Sequence, residues 1–137
     1  MRRLAKFEGY LDRFTVTESD LIERGLAESG DAQFTAWVAE GNGLLQGYAV
    51  AYLIPFTFDL RPTVVLKELF VDEAVRGQGC GDRLFSAVVE HGRSINAGLL
   101  RWQVLPGNEA AKRFYRSRGG CEDEAWESWE LRLQRDV

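Results

Sequence analysis

Thr63-Val64-Val65-Leu66-Lys67-Glu68-Leu69-Phe70-Val71 is an apolar run, and it leads through Asp72-Glu73-Ala74-Val75 into Arg76-Gly77-Gln78-Gly79-Cys80-Gly81. Asp82-Arg83-Leu84-Phe85-Ser86-Ala87-Val88-Val89 follows with helical periodicity. The pattern is strand, glycine-rich turn, amphipathic helix. Glycines at 77, 79 and 81 remove the side chains that keep a ligand away from the backbone. The exposed N–H groups at a helix start, with the helix dipole behind them, favour an anion such as phosphate or pyrophosphate. Arg76 adds a fixed positive charge.

Two common phosphate loops do not fit. A P-loop needs Lys-Ser/Thr after its last glycine, where this chain has Cys80-Gly81-Asp82. A dinucleotide fingerprint needs G-x-G-x-x-G in an early βαβ unit, whereas this turn lies in mid-chain. A second segment follows 27 residues after Gly81: Asn108-Glu109-Ala110-Ala111-Lys112-Arg113-Phe114-Tyr115-Arg116-Ser117-Arg118-Gly119, preceded by an apolar run over 99–105.

The spacing Arg-x-x-Gly-x-Gly after a strand resembles the Gcn5-related N-acetyltransferases (GNAT), and the second segment resembles that family's N-x-x-A/S-x-x-F-Y-x-x-x-G. The resemblance implies acetyl-coenzyme A as cofactor. Its pyrophosphate would lie on Arg76, Gly77, Gln78, Gly79, Cys80, Gly81 and Asp82. Its pantetheine arm would pair with backbone groups of Leu69, Phe70 and Val71. Asn108 and Ala111 would touch the cofactor, and Tyr115 would face the thioester sulfur.

The 137 residues allow one domain with one core, residues 1–137. A hydrophobic content of 45% without low-complexity tracts indicates an ordered globule. No run approaches a membrane span, and Met1-Arg2-Arg3-Leu4 lacks a signal-peptide core. Cys80 and Cys121 have no metal-ligand spacing, so no metal site and a reducing cytoplasm are expected. The net charge of -4 and the lack of a basic stripe speak against nucleic acid.

Along the chain, a helix fragment is expected over 4–10 and a second helix from Thr17-Glu18-Ser19-Asp20, capped by Thr17 or Ser19. A strand over 35–39 turns at Gly41-Asn42-Gly43 into a strand over 45–55. Strands over 63–71 and 99–105, helices from the glycine turn to about residue 92 and over 109–118, and a last strand over 126–133 complete the list. The expected fold class is α/β with a mixed sheet, the GNAT acyl-CoA N-acyltransferase fold, with an antiparallel meander and one parallel crossover.

Further segments resemble the diamine (spermidine/spermine and thialysine) branch: Leu4-Ala5-Lys6-Phe7-Glu8, Thr17 to Leu21, Gly47-Tyr48-Ala49 with Tyr52, Phe56-Thr57-Phe58-Asp59, and Glu127-Ser128-Trp129. Against that branch about twenty residues are missing before Met1, so the first strand is expected to be absent or truncated. Either the start lies downstream of the true one, or the sheet has an open edge that a homodimer partner covers.

Acetyl transfer to an amine needs a base for its proton and an acid for the leaving thiolate. On the family position Glu68 is the base, with a pKa expected to rise on a largely buried strand. The bland reading is a charge on a solvated strand face. Tyr115 is the acid, its phenol having an ordinary pKa of ~10; the bland reading is a core aromatic beside Phe114. Phe7, Glu8, Lys67, Glu68 and Glu127 fall where the branch holds its polycationic substrate. Lys67 departs from that branch, which carries two acids in tandem here, and so admits an amino-acid amine as a competing acceptor. The expected function is acetyl transfer to a small primary amine in a ternary complex. A catalytically silent cofactor-binding module and a protein or peptide acetyltransferase are the alternatives. His91 reads as a helix-end residue, and Cys80 as a small turn residue.

Overall fold

The computed structural model describes residues 1–26, 28 and 30–133. They form two compact units, Met1–Gln103 and a smaller one from Val104 onward. The first contains helices Arg2–Glu8 (α1), Glu18–Leu21 (α2) and Cys80–Ser94 (α3), and strands Thr35–Gly41 (β1), Leu44–Ile54 (β2), Thr63–Val71 (β3) and Leu99–Trp102 (β4). The strands form one sheet in the order β1-β2-β3-β4. The first three are antiparallel, and β4 joins β3 in parallel after the α3 crossover.

Local chemistry explains the joints. Asn42 (φ 51°) and Gly43 (φ 75°) both take the left-handed conformation that a two-residue hairpin turn requires. Thr17, not Ser19, caps α2: its Oγ1 accepts from the Asp20 N–H (3.2 Å), while Asp20 Oδ2 accepts from the Thr17 N–H (2.9 Å).

The register between β2 and β3 carries one irregularity that matters for the site. Val50 pairs with Glu68 and Ala51 with Leu66, so Lys67 is an extra residue without an opposite number. Neighbouring residues of β2 face opposite sides of the sheet. Leu66 therefore lies on the face of Ala51, and Glu68 on the face of Val50 and Tyr48. The Leu66 face is the one α3 covers with Leu84, Phe85 and Val88, forming the core with Ala49, Ala51 and Val64. Gly92 of α3 lies so close that an added Cβ would meet Val64 Cγ2 at 3.5 Å. If Lys67 took a regular paired position instead, Glu68 would point into this apolar layer.

The second unit holds α4, Glu109–Arg116. The strand expected over 126–133 does not form, and no described residue after Arg116 is in a strand. Trp129, Leu131 and Leu133 alternate with charged residues as a strand would. A strand also needs a neighbouring ladder to bond to, and these side chains stand exposed, Trp129 at 89%. The strand expected over 99–105 stops at Trp102. No helix among the described residues is long and apolar enough to cross a membrane.

Candidate functional site

β4 pairs only with Thr63, Val64, Val65 and Leu66 of β3. The β3 edge from Lys67 to Val71 is thus not bonded by β4, while Leu69, Phe70 and Val71 pair on their other side with Ala49, Tyr48 and Gly47. An extended chain laid along this edge meets backbone donors and acceptors.

The glycine turn continues from that edge. Asp72 Oδ1 accepts from the Ala74 N–H (3.1 Å), shaping the short turn Glu73–Val75. Gly77 (φ 80°) and Gly79 (φ 79°) are left-handed. A Cβ on Gly77 would meet nothing within 4 Å, so its outer side is open space. Gly79 is the N-cap of α3 and has no side chain to bond the first turn. No side chain at the N-cap therefore competes for the start of this 15-residue helix. A helix start with no capping side chain and the open space at Gly77 fit an anionic group such as a pyrophosphate.

Arg76 Nε donates to the Val71 carbonyl at 3.1 Å, fixing the guanidinium beside the turn. Arg83 Nη1 donates to the Gln78 carbonyl (3.3 Å). Gln78 and Asp82 are exposed. Cys80 is buried, its sulfur 3.2 Å from where a Cβ on Gly47 would sit, so it offers the site a backbone N–H and not a thiol.

Upstream on β3, Glu68 is 4% exposed, so the bland reading of a solvated acid does not hold. Both carboxylate oxygens have donors: Tyr48 Oη at 3.3 Å to Oε1, and Lys67 Nζ at 3.2 Å to Oε2. A buried carboxylate requires such partners. Burial first, and then the Glu68 charge, raise the pKa of Glu8, which Lys67 partly offsets. Burial, Glu68 and Glu8 push the Tyr10 phenol up. Burial, the Glu68 charge and the hydrogen bond to it push Tyr48 up further. Glu8, Tyr10, Tyr48, Lys67 and Glu68 therefore form one electrostatic cluster.

Of the residues expected from the sequence, Glu8, Lys67 and Glu68 come together. Phe7 beside them is 65% exposed. Tyr10 and Tyr48 were not singled out as site residues. Tyr48 is 20 positions from its carboxylate, and only the β2–β3 register could have paired them. Arg3 braces α1 at the end of β3, with Nη1 3.1 Å from Asp72 Oδ2 and its guanidinium over the Phe70 ring. His91 packs edge-on against Trp37 (5.3 Å).

In the second unit, Asn108 caps α4, its Oδ1 accepting from the Ala111 N–H at 3.1 Å. This bond occupies the one donor Ala111 has. Tyr115, partly exposed on the same helix, sits edge-on to Phe114 at 5.2 Å. Arg118 stacks on the other ring, 3.6 Å from the Phe114 centroid. Glu127 is exposed. No group of three or more His, Cys, Asp or Glu among the described residues could hold a metal ion.

The model of the acetyltransferase (GNAT) family matches residues 4–119. Thialysine N-epsilon-acetyltransferase of Sus scrofa is 28% identical over 140 residues, covering 94% of this chain and 81% of that protein. Spermidine/spermine N(1)-acetyltransferase-like protein 1 of Homo sapiens is 26% identical over 140 residues, covering 96% of this chain but only 19% of that protein. Among solved structures, AAC(6')-Iy in complex with the bisubstrate analogue CoA-S-monomethyl-acetylneamine shares the fold. Its TM-score is 0.69 at 22% identity, over 84% of this chain and 78% of that one.

Proposed function

Since the chain belongs to the acetyltransferase (GNAT) family and is an acetyl-coenzyme A-dependent N-acetyltransferase, we propose that it acetylates the primary amine of a small molecule by direct transfer in a ternary complex. The observation that carries this reading is the Glu68 carboxylate, buried and doubly bonded on the strand that runs into the anion-binding turn.

Acetyl-coenzyme A, when bound, supplies an activated acetyl thioester. The N–H groups of Gly77, Gln78, Gly79, Cys80, Gly81 and Asp82, with Arg76, would hold its pyrophosphate. The backbone of Leu69, Phe70 and Val71 would bond its extended arm, and Asn108 and Ala111 would line it. Glu68 accepts the proton of the incoming ammonium, directly or through a water, which leaves the nitrogen lone pair free. Tyr48 keeps that carboxylate in place by its hydrogen bond. An N–H of the β3 edge would donate a hydrogen bond to the acetyl carbonyl oxygen. On the family resemblance, Tyr115 Oη would supply the proton for the leaving thiolate. On the resemblance to the diamine branch, Phe7, Glu8, Lys67 and Glu127 would complete the acceptor side.

One relative is named a thialysine N-epsilon-acetyltransferase and another a spermidine/spermine N(1)-acetyltransferase-like protein, names that support a diamine, polyamine or amino-acid side chain as acceptor. In this reading residues 1–137 are one domain that works in the cytoplasm as a homodimer. The exposed Trp126, Trp129, Leu131 and Leu133 support an interface.

The test is a thiol-release assay with acetyl-coenzyme A on a panel of small amines, the product assigned by mass. At least one amine is expected to release thiol well above the rate of hydrolysis. Glu68→Gln and Tyr115→Phe are each expected to lower kcat by about 10²–10⁴-fold with coenzyme A affinity unchanged. Coenzyme A binding with no turnover on any amine would overturn the reading.

A further inference from the structure

We propose that Lys67 is a specificity residue: its ammonium pairs with a carboxylate of the acceptor, so that the site prefers an amino acid bearing a side-chain amine over a diamine or polyamine. The inference rests on the amine-acetylating reading and names the acceptor within it.

The argument starts from the bulge. A residue at a regular position of β3 alternates with its neighbours, so Lys67 and Glu68 would point to opposite faces of the sheet. The extra residue breaks the alternation and re-aims its side chain. The result is an Nζ 3.2 Å from Glu68 Oε2, on the same side as the carboxylate. The Lys67 side chain remains 53% exposed, whereas that of Glu68 is 2% exposed. The ammonium thus sits at the solvent side of the buried base.

An ammonium has three donors, and Glu68 takes one of them. The cluster around it holds two carboxylates: Glu8, which senses the charges of Glu68 and Lys67, and Glu68, which accepts a hydrogen bond from Lys67. Two acids with no lysine would suit two cationic groups of a diamine. With Lys67 present, one of those cationic positions is already filled by the protein. A second ammonium on the acceptor meets a like charge there, while a carboxylate on the acceptor meets an opposite one. Partial burial makes both effects stronger than at an open surface. Discrimination of this kind depends on the repulsive contact as much as on the attractive one.

The test uses substrate pairs that differ only in the carboxylate: L-lysine against 1,5-diaminopentane, and L-2,4-diaminobutyrate against 1,3-diaminopropane. The quantity read is the ratio of kcat/KM within a pair. Any general damage to Glu68 from altering its neighbour cancels in that ratio. The wild type is expected to favour the amino acid by about tenfold or more, one charge-assisted contact being of that size. Lys67→Arg is expected to keep the preference, Lys67→Gln to abolish it, and Lys67→Glu to invert it. A wild type that prefers the diamine, or a ratio that Lys67→Gln leaves unchanged, overturns the proposal. Turnover of other amines with none of these four also overturns it, while leaving the amine reading standing. No turnover of any amine removes both.

Discussion

Gly77→Ala separates the two reasons a glycine stands in the turn. With φ at 80°, an alanine there costs about 1–2 kcal/mol of backbone strain. The stiffer unfolded chain returns about 0.4–1 kcal/mol of that. The net loss is about 1 kcal/mol, which for a chain of this length is about 3–4 °C in Tm. No contact adds to it, because the new methyl meets nothing within 4 Å. Gly43, in the β1–β2 hairpin, has nearly the same φ (75°) and the same open surroundings, so Gly43→Ala should cost the apo protein about as much. The two differ only in what occupies the open space. If a phosphate of coenzyme A does so at Gly77, the methyl displaces it from one or two N–H donors, each bond to a charged group being worth about 1.5–3 kcal/mol. The coenzyme A Kd should then rise about 10- to 100-fold in Gly77→Ala and not in Gly43→Ala. Calorimetric melting of the apo variants and titration with coenzyme A read the two effects separately. Equal changes in Kd for both variants, or none in Gly77→Ala, would refute the assignment of the turn.

Two further predictions concern stability. Burial and the Glu68 charge raise the Glu8 pKa in the folded state, so the folded chain binds more protons. Stability is then greatest below the unfolded pKa of about 4.3 and falls as pH rises through the folded value. Glu8→Gln should accordingly raise Tm at pH 7, with the gain vanishing below about pH 4; a gain that persists there would contradict the assignment. Gly47→Ala would place a Cβ 2.7 Å from the Phe70 carbonyl oxygen and 3.1 Å from Leu84 Cδ1, forcing β2 away from β3. Denaturant unfolding should show a loss of about 1–3 kcal/mol, and an unchanged midpoint would show that the strands yield more easily than this contact implies.

The sequence made β3, the hairpin and the glycine turn legible because each has a local cause. Thr63–Val71 is an apolar run ended by turn formers, and Asn42-Gly43 can hardly be anything but a tight turn. The bulge at Lys67 was not legible, since it exists only in the register between two strands. The same holds for Tyr48, whose bond to Glu68 depends on which residue of β2 falls opposite which residue of β3. Asn108 and Tyr115 stand out by motif, but spacing does not reveal that Asn108 caps α4 and takes the Ala111 N–H. The segment 126–133 misled for the converse reason. Its alternation states which side of a strand would be wet, but alternation alone supplies no neighbour to bond to.

The bulge also fixes how β3 tolerates length change. In the pairing with β2, Lys67 counts for nothing: removing it would leave Val50 opposite Glu68 and Ala51 opposite Leu66, every side chain on the face it already has. Adding or deleting a residue elsewhere between Leu66 and Val71 would exchange the two faces and drive Glu68 or its neighbours into the layer under α3. Position 67 is thus the one place on this strand where length can vary without rewriting the core, and so where acceptor preference and fold can change independently.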